Sequence, residues 1–230
     1  MNSLKSHKEN LFENGFSITK PIFSSNEIEQ LLELIGDSDK SYAKRQLINK
    51  TPKIKDVIFN NYNFNKLYQS ICDSSYFLSK AIYFNKPKMS NWFVNYHQDI
   101  SISALKKVSV DGFTKWTNKD GQLGVIPPQD VLENTITFRL HLDNTDETNG
   151  ALKIIKGSHK NGFIRIDENF KRSDLKEELC KVEKGAIMLM QPLLLHASDK
   201  STSEHDRRVI HLEFCNKEIP MGWLEKKQVV

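Results

Sequence analysis

A mainly β domain of the sandwich or barrel kind, flanked by helices, is the fold class this sequence predicts. From residue 81 onward, short segments rich in β-branched and aromatic residues succeed one another between clusters of Gly, Pro, Asn and Asp. The clearest, 135–143, alternates without a fault. Thr135, Thr137, Arg139, His141 and Asp143 fall on one face, and Ile136, Phe138, Leu140 and Leu142 on the other. No helical periods separate these segments, which argues against a parallel α/β sheet.

The elements follow in order along one domain spanning residues 1–230, a length that buries a real core. A polar start runs into a short strand around Phe16 and Ile18, closed by Pro21. Ser24 with Glu27 forms a capping-box pair. Ile28, Leu31, Leu32 and Ile35 follow at helical spacing, and Gly36 ends the helix. The helical N-terminal part, about 24–80, continues through apolar positions at Val57, Ile58, Phe64, Leu67, Tyr68 and Ile71. The β core is expected over about 81–215, in strands 81–84, 91–97, 135–143, 151–155, 185–190 and 207–214. In the last of these, Ile210, Leu212 and Phe214 share one face and Arg207, Val209 and His211 the other. Residues 100–134 read as a long, irregular stretch, and loops of that length tend to be functional lids.

Hydrophobic residues make up 38% and charged residues 27%, the balance of a soluble globular chain. The 33 basic and 29 acidic residues leave only +4, with no dense basic block interleaved with aromatics, so a nucleic-acid partner is not expected. Cys72, Cys180 and Cys215 are too few and too irregularly spaced for a disulfide framework or a zinc knuckle, and read as small buried thiols. The N-terminal residues carry no apolar h-region, and no run approaches a membrane span. A reducing, cytoplasmic setting is the expectation.

On an extended chain, a histidine and a carboxylate two residues apart project to the same side and can grip one ion, as in His97-Gln98-Asp99. A third ligand from elsewhere would complete a facial triad with open positions, the arrangement that suits ferrous oxygenases. The tripeptide alone is a weak signal. His141-Leu142-Asp143 is a second such pair, and pattern alone does not choose between them. Farther on, three leucines end in His196, and Arg207 opens the next strand eleven positions later. An arginine fork matches a carboxylate bidentately, the anchor that a 2-oxo acid chelating iron would need at its far end.

Four ordered blocks extend this pattern: Tyr96-His97-Gln98-Asp99; Asn149-Gly150-Ala151-Leu152 leading into Gly157-Ser158-His159; Pro192 through Ser198; and Arg207-Arg208. Together they resemble the phytanoyl-CoA dioxygenase family over about residues 10–215. The resemblance implies a double-stranded β-helix (jelly-roll, cupin-like) core, Fe(II), 2-oxoglutarate as co-substrate and O₂. It implies hydroxylation of an unactivated C–H bond of a small molecule, with decarboxylation of 2-oxoglutarate to succinate. By matching position, His97, Asp99 and His196 would be the metal ligands, and Arg207 with Ser198 would hold the distal carboxylate of 2-oxoglutarate. Gln98 and Arg139 join them as cofactor-binding candidates. Lys156 stands where the family has a proline, which predicts a looser turn before Gly157. Asp99 occupies the position that is Ala or Gly in halogenating relatives, so oxygenation is the expected chemistry.

Other histidines and aromatics read differently. His141 and Asp143 are a polar strand face. If that strand is an inner one, Arg139 and His141 line the cavity near the metal, and a charge there needs a partner, on 2-oxoglutarate or on the substrate. With the basic balance, this points to an acidic small-molecule substrate. His159 reads as structural, His7 and His205 as exposed, and Trp92, Trp116 and Phe113 as packing. Two alternatives have distinct signatures. A cupin-like metalloenzyme that does not use 2-oxoglutarate would show no absorption band on adding it to the Fe(II) protein. A non-catalytic jelly-roll binding module would be expected to have lost one of His97, Asp99, His196 and Arg207, and all four are present.

Overall fold

The computed structural model describes residues 4–36, 42–90, 92–166 and 176–229. The polar start is a helix, α1 (Leu4–Asn14), that leads through Gly15 into β1 (Phe16–Ile18). His7 is buried rather than exposed, its Nδ1 2.8 Å from Ser17 Oγ. With Leu11 it forms the inward stripe of α1, a stripe hidden from sequence because a histidine holds one of its positions. The capping box closes as expected: Ser24 Oγ accepts from Glu27 N and Glu27 Oε2 accepts from Ser24 N, starting α2 (Ser25–Ile35). The strand β2 (Ala43–Arg45) follows, an edge strand that its half-buried polar residues gave no pattern to reveal. The helices α3 (Leu47–Lys50), α4 (Lys53–Phe59) and α5 (Tyr62–Ile71) complete the helical part.

The β core begins earlier than expected, at β3 (Phe77–Lys86), and the next strand, β4 (Val94–His97), starts later. Residues 100–134 are not irregular. They hold β5 (Ile102–Ala104), β6 (Thr114–Lys119), β7 (Gln122–Ile126) and α6 (Gln129–Glu133). Then come β8 (Thr135–His141), β9 (Leu152–Ile155), β10 (Glu177–Cys180), β11 (Ile187–Met190), β12 (His196–Ser198) and β13 (Arg207–Cys215). Among the described residues the strands form three antiparallel sheets, in the orders β1-β11-β8-β13-β3-β2, β10-β9-β12-β4 and β5-β7-β6.

The two larger sheets face each other as a double-stranded β-helix, a jelly roll. Period two divides the six-stranded sheet into unlike faces. Ile136, Phe138 and Leu140 of β8, with Ile210, Leu212 and Phe214 of β13, turn outward into the main apolar cluster, which the helices cover. Phe64 of α5 sits at its centre, ring to ring with Phe59, Tyr68, Phe138 and Phe214. Burying an aromatic side chain there contributes about 1.5–3 kcal/mol. The alternate residues, Lys86, Arg139, His141, Arg207, His211 and Glu213, are also buried, but inside the roll. The helices seal the apolar face, so the interior is free to be polar. At the far end of the roll a smaller cluster of Phe16, Ile154, Met188, Met190 and Leu194 closes the gap between the sheets.

The cysteines are buried and free, and burial pushes the Cys180 thiol up to about 12, away from reactivity. Among the described residues no helix is long and apolar enough to cross a membrane.

Candidate active site

His97 ends β4 and His196 opens β12, and the two are direct cross-strand partners with ring centroids 4.2 Å apart. Asp99 lies two residues beyond the strand end, its backbone N–H donating to Pro192 O at 2.8 Å. Its carboxylate bridges the rings: Oδ1 is 3.8 Å from His97 Nε2 and Oδ2 is 3.7 Å from His196 Nε2. One donor atom from each residue lies within 4.8 Å of the others. The ring orientations are fixed from behind. His97 Nδ1 donates to Asn95 O at 2.9 Å and His196 Nδ1 to Leu194 O at 2.8 Å. A carbonyl only accepts, so each proton sits on Nδ1 and each Nε2 turns its lone pair toward Asp99. Burial pulls His196 down to about 4, which keeps it neutral at pH 7. Burial alone would raise the Asp99 carboxyl, but His196, His211, His97 and Arg139 outweigh it and hold the group well below the usual carboxylate range. Two imidazole nitrogens and one anionic oxygen on one side of a cavity are a donor set for a divalent metal.

The second histidine–aspartate pair does not converge. Asp143 is taken by Arg208, which donates from Nε to Oδ2 at 2.8 Å and from Nη2 to Oδ1 at 2.6 Å. His141 turns inward and bonds Thr145 Oγ1 at 2.8 Å. The strand ends at His141, so the alternation that would have kept Asp143 on the inner face stops two residues short of it. Neighbouring Arg207 and Arg208 part as alternation requires, Arg207 into the roll and Arg208 to the rim.

Behind the triad lies a cavity of about 90 Å³ that Arg139, Ser198 and Arg207 line together with His97, Asp99 and His196. Among the described residues, Arg207 Nε and Arg139 Nε have no hydrogen-bond partner and Arg207 enters no ion pair. Burial, and Arg139 beside it, pull the Arg207 guanidinium down to about 9. Opposite Arg207 on β3 stands Lys86, fully buried, which sequence reasoning missed because a lysine before a proline carries no motif. Its Nζ donates to Ser198 Oγ at 2.7 Å, and Ser198 Oγ in turn donates to Gly150 O at 2.7 Å. Burial, then Arg207, lower Lys86 to about 7. Buried cations crowded together with unused donors form a pocket that an anion would stabilise. Trp92, expected to be packing, also walls this cavity.

Arg139 is not isolated. Its Nη1 donates to His211 Nδ1 at 3.1 Å, which leaves His211 Nε2 to donate to Glu213 Oε1 at 2.9 Å. Glu213 Oε1 also accepts from Lys80 Nζ at 2.8 Å. Three strands thus carry one buried polar chain away from the triad. Gln98 has its amide engaged with backbone: Nε2 donates to Gly162 O and Leu193 O, and Oε1 accepts from Ile164 N. His159, as expected, is a brace, with Nε2 bonded to Phe12 O at 2.9 Å.

Gly150 makes the anion pocket possible. It holds φ +81°, and a Cβ there would lie 2.7 Å from Asp199 O and 2.8 Å from Lys86 Nζ. Gly150→Ala is therefore expected to cost about 1–3 kcal/mol from backbone strain and to push Lys86 off Ser198. A thermal unfolding midpoint equal to that of the parent chain would contradict this.

A model of the family described as Phytanoyl-CoA dioxygenase (PhyH) matches residues 11–209. Among curated proteins, Phytanoyl-CoA dioxygenase 1 of Oryza sativa subsp. japonica is 31% identical over 127 residues, covering 45% of this chain and 44% of that protein. The matched stretch thus spans less than half of the curated relative. Solved structures share the fold at low identity. AviO1 from Streptomyces viridochromogenes Tue57 is 15% identical with a TM-score of 0.65, over 96% of this chain and 97% of that one. EctD from S. alaskensis, solved with 2-oxoglutarate and 5-hydroxyectoine, is 13% identical with a TM-score of 0.66, over 90% and 74%. HygX from Streptomyces hygroscopicus, solved with iron bound, is 15% identical with a TM-score of 0.65, over 97% and 96%. Since the family model takes in most of the sequence, from Leu11 to Val209, this chain belongs to the phytanoyl-CoA dioxygenase family.

Proposed function

We propose that this chain is a non-haem iron, 2-oxoglutarate-dependent oxygenase that hydroxylates an unactivated C–H bond of a small molecule, converting 2-oxoglutarate to succinate and CO₂. One observation carries the reading: the His97–Asp99–His196 donor set and the buried, unpaired Arg207 line the same small cavity. Family membership and the fold shared with structures solved with iron or 2-oxoglutarate support it. Iron held by the triad would supply the chemistry of O₂ activation. The chain's own residues do the rest. His97 and His196 present Nε2 in a fixed tautomer, and Asp99 contributes the negative charge. Arg207, with Ser198 and Lys86 beside it, binds the distal carboxylate of 2-oxoglutarate. Trp92, Val94 and Leu152 wall the cavity and keep water from it. The β5-β7-β6 sheet is assigned as the lid on the Asp99 side, and a reducing cytoplasm suits the three free thiols.

Under anaerobic conditions, adding 2-oxoglutarate to the Fe(II)-loaded protein should produce a visible metal-to-ligand absorption band. Arg207→Ala should raise the 2-oxoglutarate concentration needed for that band by roughly 10–100-fold, the loss of a charged hydrogen bond, with iron content unchanged. Absence of the band in the parent protein would favour a cupin-like metalloenzyme that does not use 2-oxoglutarate. Succinate formation across candidate substrates, with oxygen incorporation into the product, tests the hydroxylase assignment.

A further inference from the structure

A second cavity, of about 220 Å³, adjoins the first: Asp99 and Phe84 line both. Its walls are the inner face of β3, through Lys80 and Ile82, and the β6–β7 hairpin, through Thr117, Lys119 and Gln122. Arg45, from the edge strand β2, closes the rim. We infer that this outer chamber holds the prime substrate, and that the substrate is a small molecule bearing a carboxylate or phosphate monoester held by Arg45 and Lys119. The inference rests on the oxygenase reading of the triad, and it names the substrate class for that site.

Charge balance points this way. The chamber is lined by three cations and one carboxylate, Asp99, which a metal held by the triad would take. Lys80 is neutralised from behind by Glu213 at 2.8 Å, both side chains being buried. Arg45 pairs with Asp120 at 3.3 Å, but that carboxylate is 72% exposed, so the pair is weak and solvent-screened. Lys119 enters no ion pair among the described residues. Two cations at the rim are therefore available to an anion, and Ile82 and Phe84 give the chamber an apolar wall. A molecule anchored by its acid group at the rim would lay its hydrocarbon part along that wall and present a C–H bond beside the metal ligands. The inner pocket is occupied by 2-oxoglutarate in this reading and is smaller by more than half, so the two anions do not compete. Asp120 at the hairpin tip has a further consequence, because an incoming acid must displace it from Arg45.

The test uses matched pairs of small acids and neutral counterparts: phenylacetate and phenylacetamide, hexanoate and hexanamide, glycerol 3-phosphate and glycerol. Each is titrated by calorimetry into the full chain loaded with Zn(II) and N-oxalylglycine, an unreactive mimic of 2-oxoglutarate. At least one acid should bind roughly tenfold or more tightly than its neutral partner, the effect of a charged hydrogen bond. Arg45→Ala combined with Lys119→Ala should erase that preference while leaving N-oxalylglycine affinity and the thermal midpoint in place. Asp120→Asn, which frees Arg45, should strengthen acid binding. The inference is overturned if no acid is preferred, if the preference survives in the double variant, or if Asp120→Asn weakens it. Failure of the parent protein to bind N-oxalylglycine would instead overturn the co-substrate reading. The difference between parent and double variant would still report on the outer chamber.

Discussion

His97→Ala, Asp99→Ala and His196→Ala are each expected to lose bound iron, while His141→Ala retains it. The three residues contribute the converging donor atoms, and none has a substitute within reach among the described residues. Removing a group that merely orients a metal ligand weakens binding by about 10–100-fold, so removing a ligand should exceed that. His141 faces the interior too, but its Nδ1 is committed to Thr145 and its would-be partner Asp143 is bound to Arg208. Metal content after anaerobic loading with Fe(II), measured by elemental analysis on protein confirmed folded by circular dichroism, decides the matter. Metal lost from His141→Ala and retained by His97→Ala would reverse the assignment.

Pattern alone left two histidine–aspartate pairs in contention, and only the order of the blocks around them singled out His97 and Asp99; the reason is physical. Period two places His141 and Asp143 on one face only while the strand lasts, and it stops at His141. The competing pair straddles the end of β4: His97 closes the strand, and beyond it the Asp99 N–H bond to Pro192 O re-aims the carboxylate between the two rings. Neither the strand end nor that long-range bond has a local signature. Alternation did group Arg139 with His141, and Arg207 with His211, on shared strand faces, and the structure turns those faces into the roll. Lys86 stayed hidden because its role depends on Ser198 and Gly150, residues brought to it by other strands. Gln98 was legible as part of the motif, but its three bonds run to Gly162, Leu193 and Ile164. The sheet within 100–134 was illegible for a different reason. Its strand β6 is almost entirely exposed, so no apolar alternation marks it. Only the Asp120-Gly121 turn, with both residues at positive φ, betrays a hairpin.

Glu213→Ala should be the most destabilising single substitution inside the roll that leaves the metal ligands intact. Glu213 Oε1 accepts from both Lys80 and His211, and all three side chains are buried. Removing the carboxylate strands an ammonium in the interior and orphans an imidazole N–H, which costs about 3–5 kcal/mol for the broken buried pair. For a chain of this size that corresponds to a fall of roughly 10 °C in the unfolding midpoint. Glu147→Ala breaks an ion pair of the same 2.8 Å length with Lys181 on the surface and should leave the midpoint where it is. Burial, not distance, makes the difference between the two. Lys80→Met combined with Glu213→Gln should recover much of the loss, because it removes the charge and its counter-charge together while Gln still accepts from His211. If the pair existed only for stability, that double variant would behave as the parent in every assay. Lys80 lines the outer chamber and Arg139 the inner one, with His211 and Glu213 as the buried links between them. The double variant should therefore be stable, bind iron normally, and still differ from the parent in its dependence on substrate concentration. An unchanged KM for substrate, with stability restored, would reduce the chain of four residues to a structural role.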